Sequence, residues 1–323
     1  MTALDSYKRY KKCFRNYVSV WWNLFLKREF ITIILRDGHK SKVTNAMAVL
    51  LSYLSENLSE INEALDYCEQ KELDNNQVVQ FRLLIKKGMN FHEALVCLEE
   101  NKFSYKNTEV IMDGWLNKGI SNNGDIIGIF IDEDYKFLNV KNKVVIDIGA
   151  NIGDSPLYFA LSEAKKVIAL EPYPYSFNYA LKNVEINNMG GKIMLLNAGY
   201  GRDSEIFVEE NKITDLGTDL TPSTDGKKIK VYSLKTLMYD YNLNDELILK
   251  IDCEGCEYNL LNEDNETLRK FTRIQIEYHY GYDKIVNKLK ECDFDVKYTK
   301  PKKAYIRSAS TPNMSIGWIY AER

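Results

Sequence analysis

The chain has 323 residues, 45% hydrophobic and 28% charged, with a formal net charge of −3. That length holds two domains or one with a large extension, and the composition is that of a packed globular protein rather than a disordered or fibrous one. The acidic balance argues against a general nucleic-acid binder, and no uncharged apolar run approaches the roughly 18 residues that span a bilayer.

The charge is uneven. Residues 1–42 hold ten Lys/Arg against three Asp/Glu, a net of +7, which leaves −10 for the rest. The same basic stretch carries Phe14, Tyr17, Val18, Trp21, Trp22 and Phe25 at helical spacing. Two readings follow. Residues 8–30 make a peripheral contact with a membrane surface, or the helix docks on its own domain with its cations in water. The first residues show no secretory pattern, so the six cysteines read as free thiols of a reducing, cytoplasmic protein, held at most at the inner face of a membrane.

Phe30–Leu35 reads as a strand, Asp37-Gly38 as a hairpin turn, and a second strand or helix starts near Lys42. Residues 59–101 read as helices, the first opening at Ser59 with Asn62-Glu63, the second closing at Gly88. Residues 1–102 are therefore expected as a mainly helical N-terminal extension. Residues 103–323 form the main domain, with a strand-rich lead-in over 103–142 and a core over 143–323. In the lead-in, Ile126–Ile131 and Lys136–Val140 read as strands, with Gly114, Gly119 and Gly124 as turns. From Lys143 the pattern is strand–helix–strand. Strands are expected at Val144–Ile146, Lys166–Leu170, Lys192–Asn197, Leu247–Ile251, Arg273–Tyr278, Phe294–Tyr298 and Ser315–Ala321, and helices at Tyr175–Asn188 and Tyr282–Cys292. Residues 201–230 read as a strand pair with a long loop. The alternation defines an α/β fold, a parallel sheet with helices on both faces.

In such a sheet ligands sit beyond the carboxyl ends of the strands. The residues there are Asp147 with the turn Gly149–Gly153, Glu171, Asn197, Asp252 with Glu254, and Glu277 with His279. The turn leads into a helix that Ser155 is expected to cap, with Pro156 at its first position. It is not a dinucleotide fingerprint: Asn151 and Asp154 stand where glycines are needed, and Asp154 opposes a pyrophosphate. Asp147-x-Gly149-x-Asn151-x-Gly153 suits S-adenosylmethionine (SAM), with a carboxylate for the methionyl ammonium. Glu171 follows Gly149 by 22 residues, where a carboxylate accepts both ribose hydroxyls. Pro172, Asp154 and Ser155 complete the expected cofactor contacts.

VVIDIGANIGDSPLYFA, ALEPYPYSFNYALKNVEINN, LKIDCEGCEYNLL and IQIEYHYG together resemble the successive motifs of the FkbM family of SAM-dependent methyltransferases. The likeness runs from about Asn139 to the C-terminus and leaves residues 1–101 unexplained. It implies a Rossmann-like seven-stranded sheet with a reversed last strand, and O-methylation of a sugar, glycan, glycolipid or small-metabolite hydroxyl. The family's Asp-x-Glu-Gly-x-Glu motif falls on Asp252, Glu254, Gly255 and Glu257. Glu277 and His279 share one face of the fifth strand, and His279 is the expected general base, with Asp252, Glu254 and Glu277 as its catalytic partners. The oxygen-rich cluster with one imidazole could take Mg²⁺ or Mn²⁺, although a metal is not required by this reading. Cys253 and Cys256 lack the second pair that a structural zinc needs, and the alternative reading of a Cys-x-x-Cys in a strand-to-helix turn is redox activity. Methylation of RNA, tRNA included, is the rival activity, opposed by the −10 body. A SAM-fold binding module without catalysis is opposed by the intact carboxylates. The loop Thr214–Gly226 and the N-terminal extension are expected to select the acceptor. The oligomeric state is not legible.

Overall fold

A computed structural model describes residues 3–55, 57–116, 125–212, 220–303 and 314–323. The chain divides into two compact units, Met1–Phe103 with Leu116–Ile120, and Ser104–Trp115 with Ser121–Arg323.

The first unit is helical around one hairpin. Helices Ala3–Cys13 and Tyr17–Phe25 precede antiparallel strands Phe30–Ile34 and Lys40–Thr44. The turn between the strands is the expected one: Asp37 Oδ1 accepts the His39 N–H at 2.8 Å beside Gly38 at φ +103°. Helices Asn45–Tyr53, Leu58–Gln70, Asn75–Lys86 and Phe91–Glu100 follow. Each starts at a side-chain cap, Thr44, Asn57, Asp74 and Asn90, so Asn57 rather than Ser59 opens the second of them. Phe14, Ile31, Ile33, Leu35, Leu50, Leu51 and Phe81 are buried in this unit. Helix Tyr17–Phe25 turns only Val20 fully inward, while Val18, Trp22 and Phe25 are 58%, 53% and 67% exposed.

The second unit is built on seven strands: β1 Val144–Ile148, β2 Lys166–Leu170, β3 Ile193–Leu196, β4 Leu247–Ile251, β5 Phe271–Tyr278, β6 Asp295–Tyr298 and β7 Ser315–Glu322. Their spatial order is β3-β2-β1-β4-β5-β7-β6. The first five are parallel; β7 runs antiparallel to β5, and β6 antiparallel to β7. This is the Rossmann-like α/β sheet with a reversed last strand. Lys302–Lys303 adds a short pairing to β7. Helices α1 Asp154–Leu161, α2 Pro174–Ile186 and α3 Asp283–Glu291 connect the strands. The central strands β1 and β4 are buried along their whole length, which is why both read as apolar runs. Ser204–Val208 and Lys227–Tyr232 pair antiparallel in a separate three-stranded sheet.

The lead-in corrects the sequence reading. Ile127–Ile131 is a π-helical turn and Lys136–Leu138 a 3₁₀ turn, not strands. A short apolar run is ambiguous between buried strand and buried helix. Here Asp125 decides it, because its Oδ1 accepts the Gly128 N–H at 2.8 Å and closes a turn. Gly114 is a turn residue at φ +84°; Gly119 and Gly124 lie outside the described residues.

Candidate active site

Beyond the carboxyl ends of β1, β2, β4 and β5 lies a cavity of ≈ 280 Å³. Gly149, Asn151, Asp154, Ser155, Glu171 and Pro172 line one part of it; Asp252, Glu254 and Glu277 line another, with Tyr135 and Trp318. The sequence-predicted residues are thus largely brought together by the strand order. Gly153, Asn197, Asp147 and His279 are not in its wall.

The β1–α1 turn needs its glycine. Gly149 has φ +84°, and a methyl group there would collide with the Asp252 carbonyl, so strand ends β1 and β4 close on each other only because this residue has no side chain. Gly153, not Ser155, occupies the helix N-cap position. Ser155 lies inside the helix and spends its hydroxyl on Asp147, donating to Oδ2 at 2.7 Å. Asp154 accepts the Asp125 N–H at 2.8 Å and the Ser155 N–H at 2.9 Å, and burial raises its carboxyl to about 6.

Glu171 ends β2 with its Oε2 accepting the Asn151 N–H at 2.9 Å and its Oε1 the Tyr173 N–H at 3.0 Å. Each oxygen keeps a lone pair for a ligand hydroxyl. Burial raises this carboxyl to about 7 in spite of those two hydrogen bonds. Asn197 supports the corner from behind, its Nδ2 donating to the carbonyls of Glu171 and Pro172, both at 2.9 Å. Asn151 Oδ1 is buried, and among the described residues it has no hydrogen-bond partner. A buried acceptor of that kind in a cavity wall suits a ligand amine.

Asp147 does not line the cavity. It is fully buried, and its Oδ1 lies 3.0 Å from Lys250 Nζ. The ammonium it was expected to receive from a ligand is supplied by the chain itself. Lys250 is 1% exposed and also donates to the Gly149 carbonyl at 2.7 Å. Burial works against its charge, but Asp147 and Asp252 outweigh that and raise its pKa. Sequence reasoning passed over Lys250. The signal was present: it is the one charged residue in the buried run LILKI, and the register sets it opposite Asp147.

The other end of the cavity is a carboxylate cluster. Asp252 Oδ2 accepts the Tyr135 hydroxyl at 3.1 Å. Glu277 is raised well above the usual carboxylate range, first by burial and then by the Asp252 charge, with His279 opposing. His279 is fully buried behind them. Its Nδ1 lies 3.0 Å from Glu257 Oε1, and its Nε2 lies 3.1 Å from Glu254 Oε2 and 3.6 Å from Glu277 Oε2. Burial works to lower its pKa, yet Glu254 and Glu257 overcome this and raise it to about 11. The two carboxylates thus favour the protonated imidazole, which weighs against the base role expected of His279. Glu257, 0% exposed, fixes the ring from below, because its Oε1 also accepts the His279 N–H at 2.9 Å and its Oε2 the Gly255 N–H at 2.8 Å. Asp252, Glu277 and His279 each bring a potential ligand atom within 4.8 Å of the others.

The cysteines correct a further expectation. Cys253 and Cys256 are joined in a disulfide, whereas Cys13, Cys68, Cys97 and Cys292 are free and buried. Leu220 lines the cavity; of the loop proposed for acceptor choice, 214–219 lie outside the described residues.

The fold is a Rossmann-like α/β sheet with a cavity beyond the carboxyl ends of its central strands. Residues 147–296 match the methyltransferase FkbM domain. The hexuronic acid methyltransferase AglP of Haloferax volcanii is 26% identical over 190 residues, 58% of this chain and 74% of AglP. Two similar solved structures are M. jannaschii TYW2 in complex with AdoMet, 16% identical at TM-score 0.34 over 69% of this chain and 85% of that one, and a putative methyltransferase from Streptococcus mutans in complex with SAH, 17% identical at TM-score 0.35 over 59% and 97%. The chain carries an FkbM methyltransferase domain and is a SAM-dependent methyltransferase.

Proposed function

We propose that the enzyme transfers the SAM methyl group to a hydroxyl of a sugar, free or within a glycan or glycolipid. The observation that carries this reading is the Asp252–Glu277 pair facing the same cavity as the Gly149–Glu171 corner. Glu171 holds the ribose, while Asn151 and Asp154 hold the methionyl part. The methyl group moves from sulfonium to acceptor oxygen, the sulfonium becomes a neutral thioether, and the hydroxyl proton passes to the Asp252–Glu277 pair. Burial and the Asp252 charge raise Glu277 above the usual carboxylate range, so its ionised form is a stronger base than an ordinary carboxylate. His279 and Glu257 hold the pair in place. AglP acts on a hexuronic acid by its name, which supports a sugar acceptor. The acceptor end here, however, carries Asp134, Asp252, Glu254 and Glu277 beside Tyr135 and Trp318. Carboxylates receive sugar diols and aromatic rings cover sugar faces, but they repel a uronate, so the acceptor is a neutral or amino sugar. The same acidity opposes RNA. No step of this reading passes through a metal, so EDTA is expected to leave turnover intact.

Glu277→Gln is expected to lower turnover by about 10²–10⁴-fold, the usual contribution of a general base, with SAM affinity little changed. Methyl transfer from labelled SAM to a panel of neutral, amino and acidic glycans and RNA measures it, and an unchanged rate would remove Glu277 from the mechanism. The pH dependence of SAM binding gives a second check. Glu171 must be ionised to accept both ribose hydroxyls, so affinity rises with pH to about 7, by up to about tenfold per unit, and then levels. Apo-protein stability runs the other way. A carboxyl raised in the fold contributes stability that is complete below its ordinary value and lost as pH rises through about 7. Calorimetry between pH 5.5 and 8.5 that shows a flat SAM affinity would contradict the ribose role.

The exposed Val18, Trp22, Phe25, Leu26 and Phe30, with Lys27, Arg28 and Lys42 near them, support a peripheral contact with an anionic membrane surface. No helix among the described residues is long and apolar enough to cross a membrane. Trp22→Glu/Phe25→Glu is expected to abolish co-sedimentation with phosphatidylserine vesicles. Equal pelleting of variant and parent would count against the contact.

A further inference from the structure

We propose that Cys253 and Cys256 form a reversible thiol–disulfide site that controls the acceptor end of the cavity, assembled when bridged and loosened by a dithiol reductant. The proposal rests on reading the Asp252–Glu277 end as the acceptor end. Its starting observation is selective. Four of the six cysteines are buried and free, whereas Cys253 and Cys256 are bridged, only half-buried, and line the cavity. Burial pushes the thiols of Cys13, Cys68 and Cys97 up to about 12, which keeps them from exchange. The half-buried pair is the one set in the functional loop. Accessible bridges are the labile, regulatory ones, whereas deeply buried thiols do not exchange.

The bridge spans the residues that organise the cluster. Asp252 precedes it, Glu257 follows it, and Glu254 and Gly255 are enclosed by it. Glu254 has φ +57° and Gly255 φ +129°, two successive residues in the left-handed half of backbone space, the first of them with a side chain. That conformation turns the Glu254 carboxylate onto His279 Nε2, and the Gly255 N–H onto Glu257. Cys253 Sγ lies 3.8 Å from Glu257 Oε2, so the sulfur is packed against the group that holds the histidine.

Opening the bridge takes two electrons and two protons. One thiolate of the reductant attacks a cysteine sulfur and displaces the other as thiolate. The second reductant thiol then resolves the mixed disulfide, leaving two cysteine thiols and an oxidised reductant. With the covalent closure gone, Glu254 is free to return to the common backbone regions and withdraw from His279. The imidazolium loses one of its carboxylates, and Glu277, near the same nitrogen, loses its fixed neighbour. The Glu171–Asn151 contact belongs to β1 and β2 and is left standing.

The test uses the full chain, with dithiothreitol in reduced and oxidised form as the probe. Alkylation and peptide mapping are expected to find no labelled cysteine in the oxidised protein. After reduction, label appears at Cys253 and Cys256 and at no other cysteine. Hydrogen exchange over 252–258 and 277–281 is expected to quicken at least about fivefold on reduction, while exchange in β1 and β2 is unchanged. Cys253→Ser/Cys256→Ser should match the reduced protein and ignore dithiothreitol. Label at Cys253 and Cys256 in the oxidised protein would overturn the proposal, and so would equal exchange in the two states. Both readouts are taken without SAM, so a failure to bind SAM counts against the proposed function and leaves the redox site to stand or fall on labelling and exchange alone.

Discussion

Lys250→Met is expected to destabilise the protein by about 3–5 kcal/mol, the range for removing one partner of a buried ion pair. Lys250 and Asp147 are 1% and 0% exposed and 3.0 Å apart in the middle of the sheet. Methionine matches the length of the lysine stem, so the loss is one of charge rather than packing. What remains is a buried carboxylate among the parallel strands, with the Ser155 hydroxyl donating to it and no cation paired with it at Lys250. Burial already raises the Asp147 pKa against the pull of Lys250, and without Lys250 it rises further. A carboxyl raised in the fold contributes stability that is complete below its unfolded value and lost as pH climbs through the folded one. The variant is therefore weakest at alkaline pH and recovers toward the parent as pH falls. Asp147→Asn in the same chain should recover most of the loss, which makes a double-mutant cycle the direct measurement. Urea unfolding at pH 8 that places Lys250→Met within about 1 kcal/mol of the parent would refute the pairing, because surface changes have effects of that size. The Lys250 ammonium also holds the Gly149 carbonyl, so SAM binding is expected to fall with stability.

This pair shows what the sequence conceals. The strands were legible because parallel strands buried on both faces read as apolar runs, and Val144–Ile148 and Leu247–Ile251 do so apart from one charged residue each, Asp147 and Lys250. Glu171 was legible because its place at the end of β2 follows from strand–helix–strand order alone. Partners across the sheet depend on register, and register is not written locally. Asp147 was assigned to a ligand because Lys250 lies 103 positions later in the chain, although the two are opposite each other in space. The same limit misplaced Ser155, a good cap by type, whose hydroxyl is drawn inward by Asp147. The Cys-x-x-Cys spacing was plain, but whether it bridged was judged from the compartment. The loop conformation, with Glu254 and Gly255 both at positive φ, is a matter of backbone geometry.

His279→Gln is expected to lower stability by about 3–5 kcal/mol, because it leaves Glu257 buried without its cation. A general base and a buried cation make different predictions. A base near its ordinary value would put a limb in the rate profile around pH 6.5, and its loss would lower kcat with the fold intact. A cation held by Glu254 and Glu257 stays protonated throughout the neutral range. Its pKa is raised to about 11, so its stabilising contribution is complete below the ordinary 6.5 and is lost as pH rises through about 11. Unfolding followed from pH 6 to 11 should show the parent weakening across that window and His279→Gln changing far less, the two converging at alkaline pH. Glu257→Gln should produce a similar destabilisation at neutral pH, since it removes the ion pair from the other side and also weakens the acceptor of the His279 and Gly255 N–H groups. Imidazole resonances report the proton directly. The chain has three histidines, and the other two, His39 and His92, are exposed, so substituting each assigns the third. A His279 resonance that titrates between pH 6 and 7.5 would return the base role to it. A resonance that stays protonated past pH 9 leaves the acceptor proton to Asp252 and Glu277.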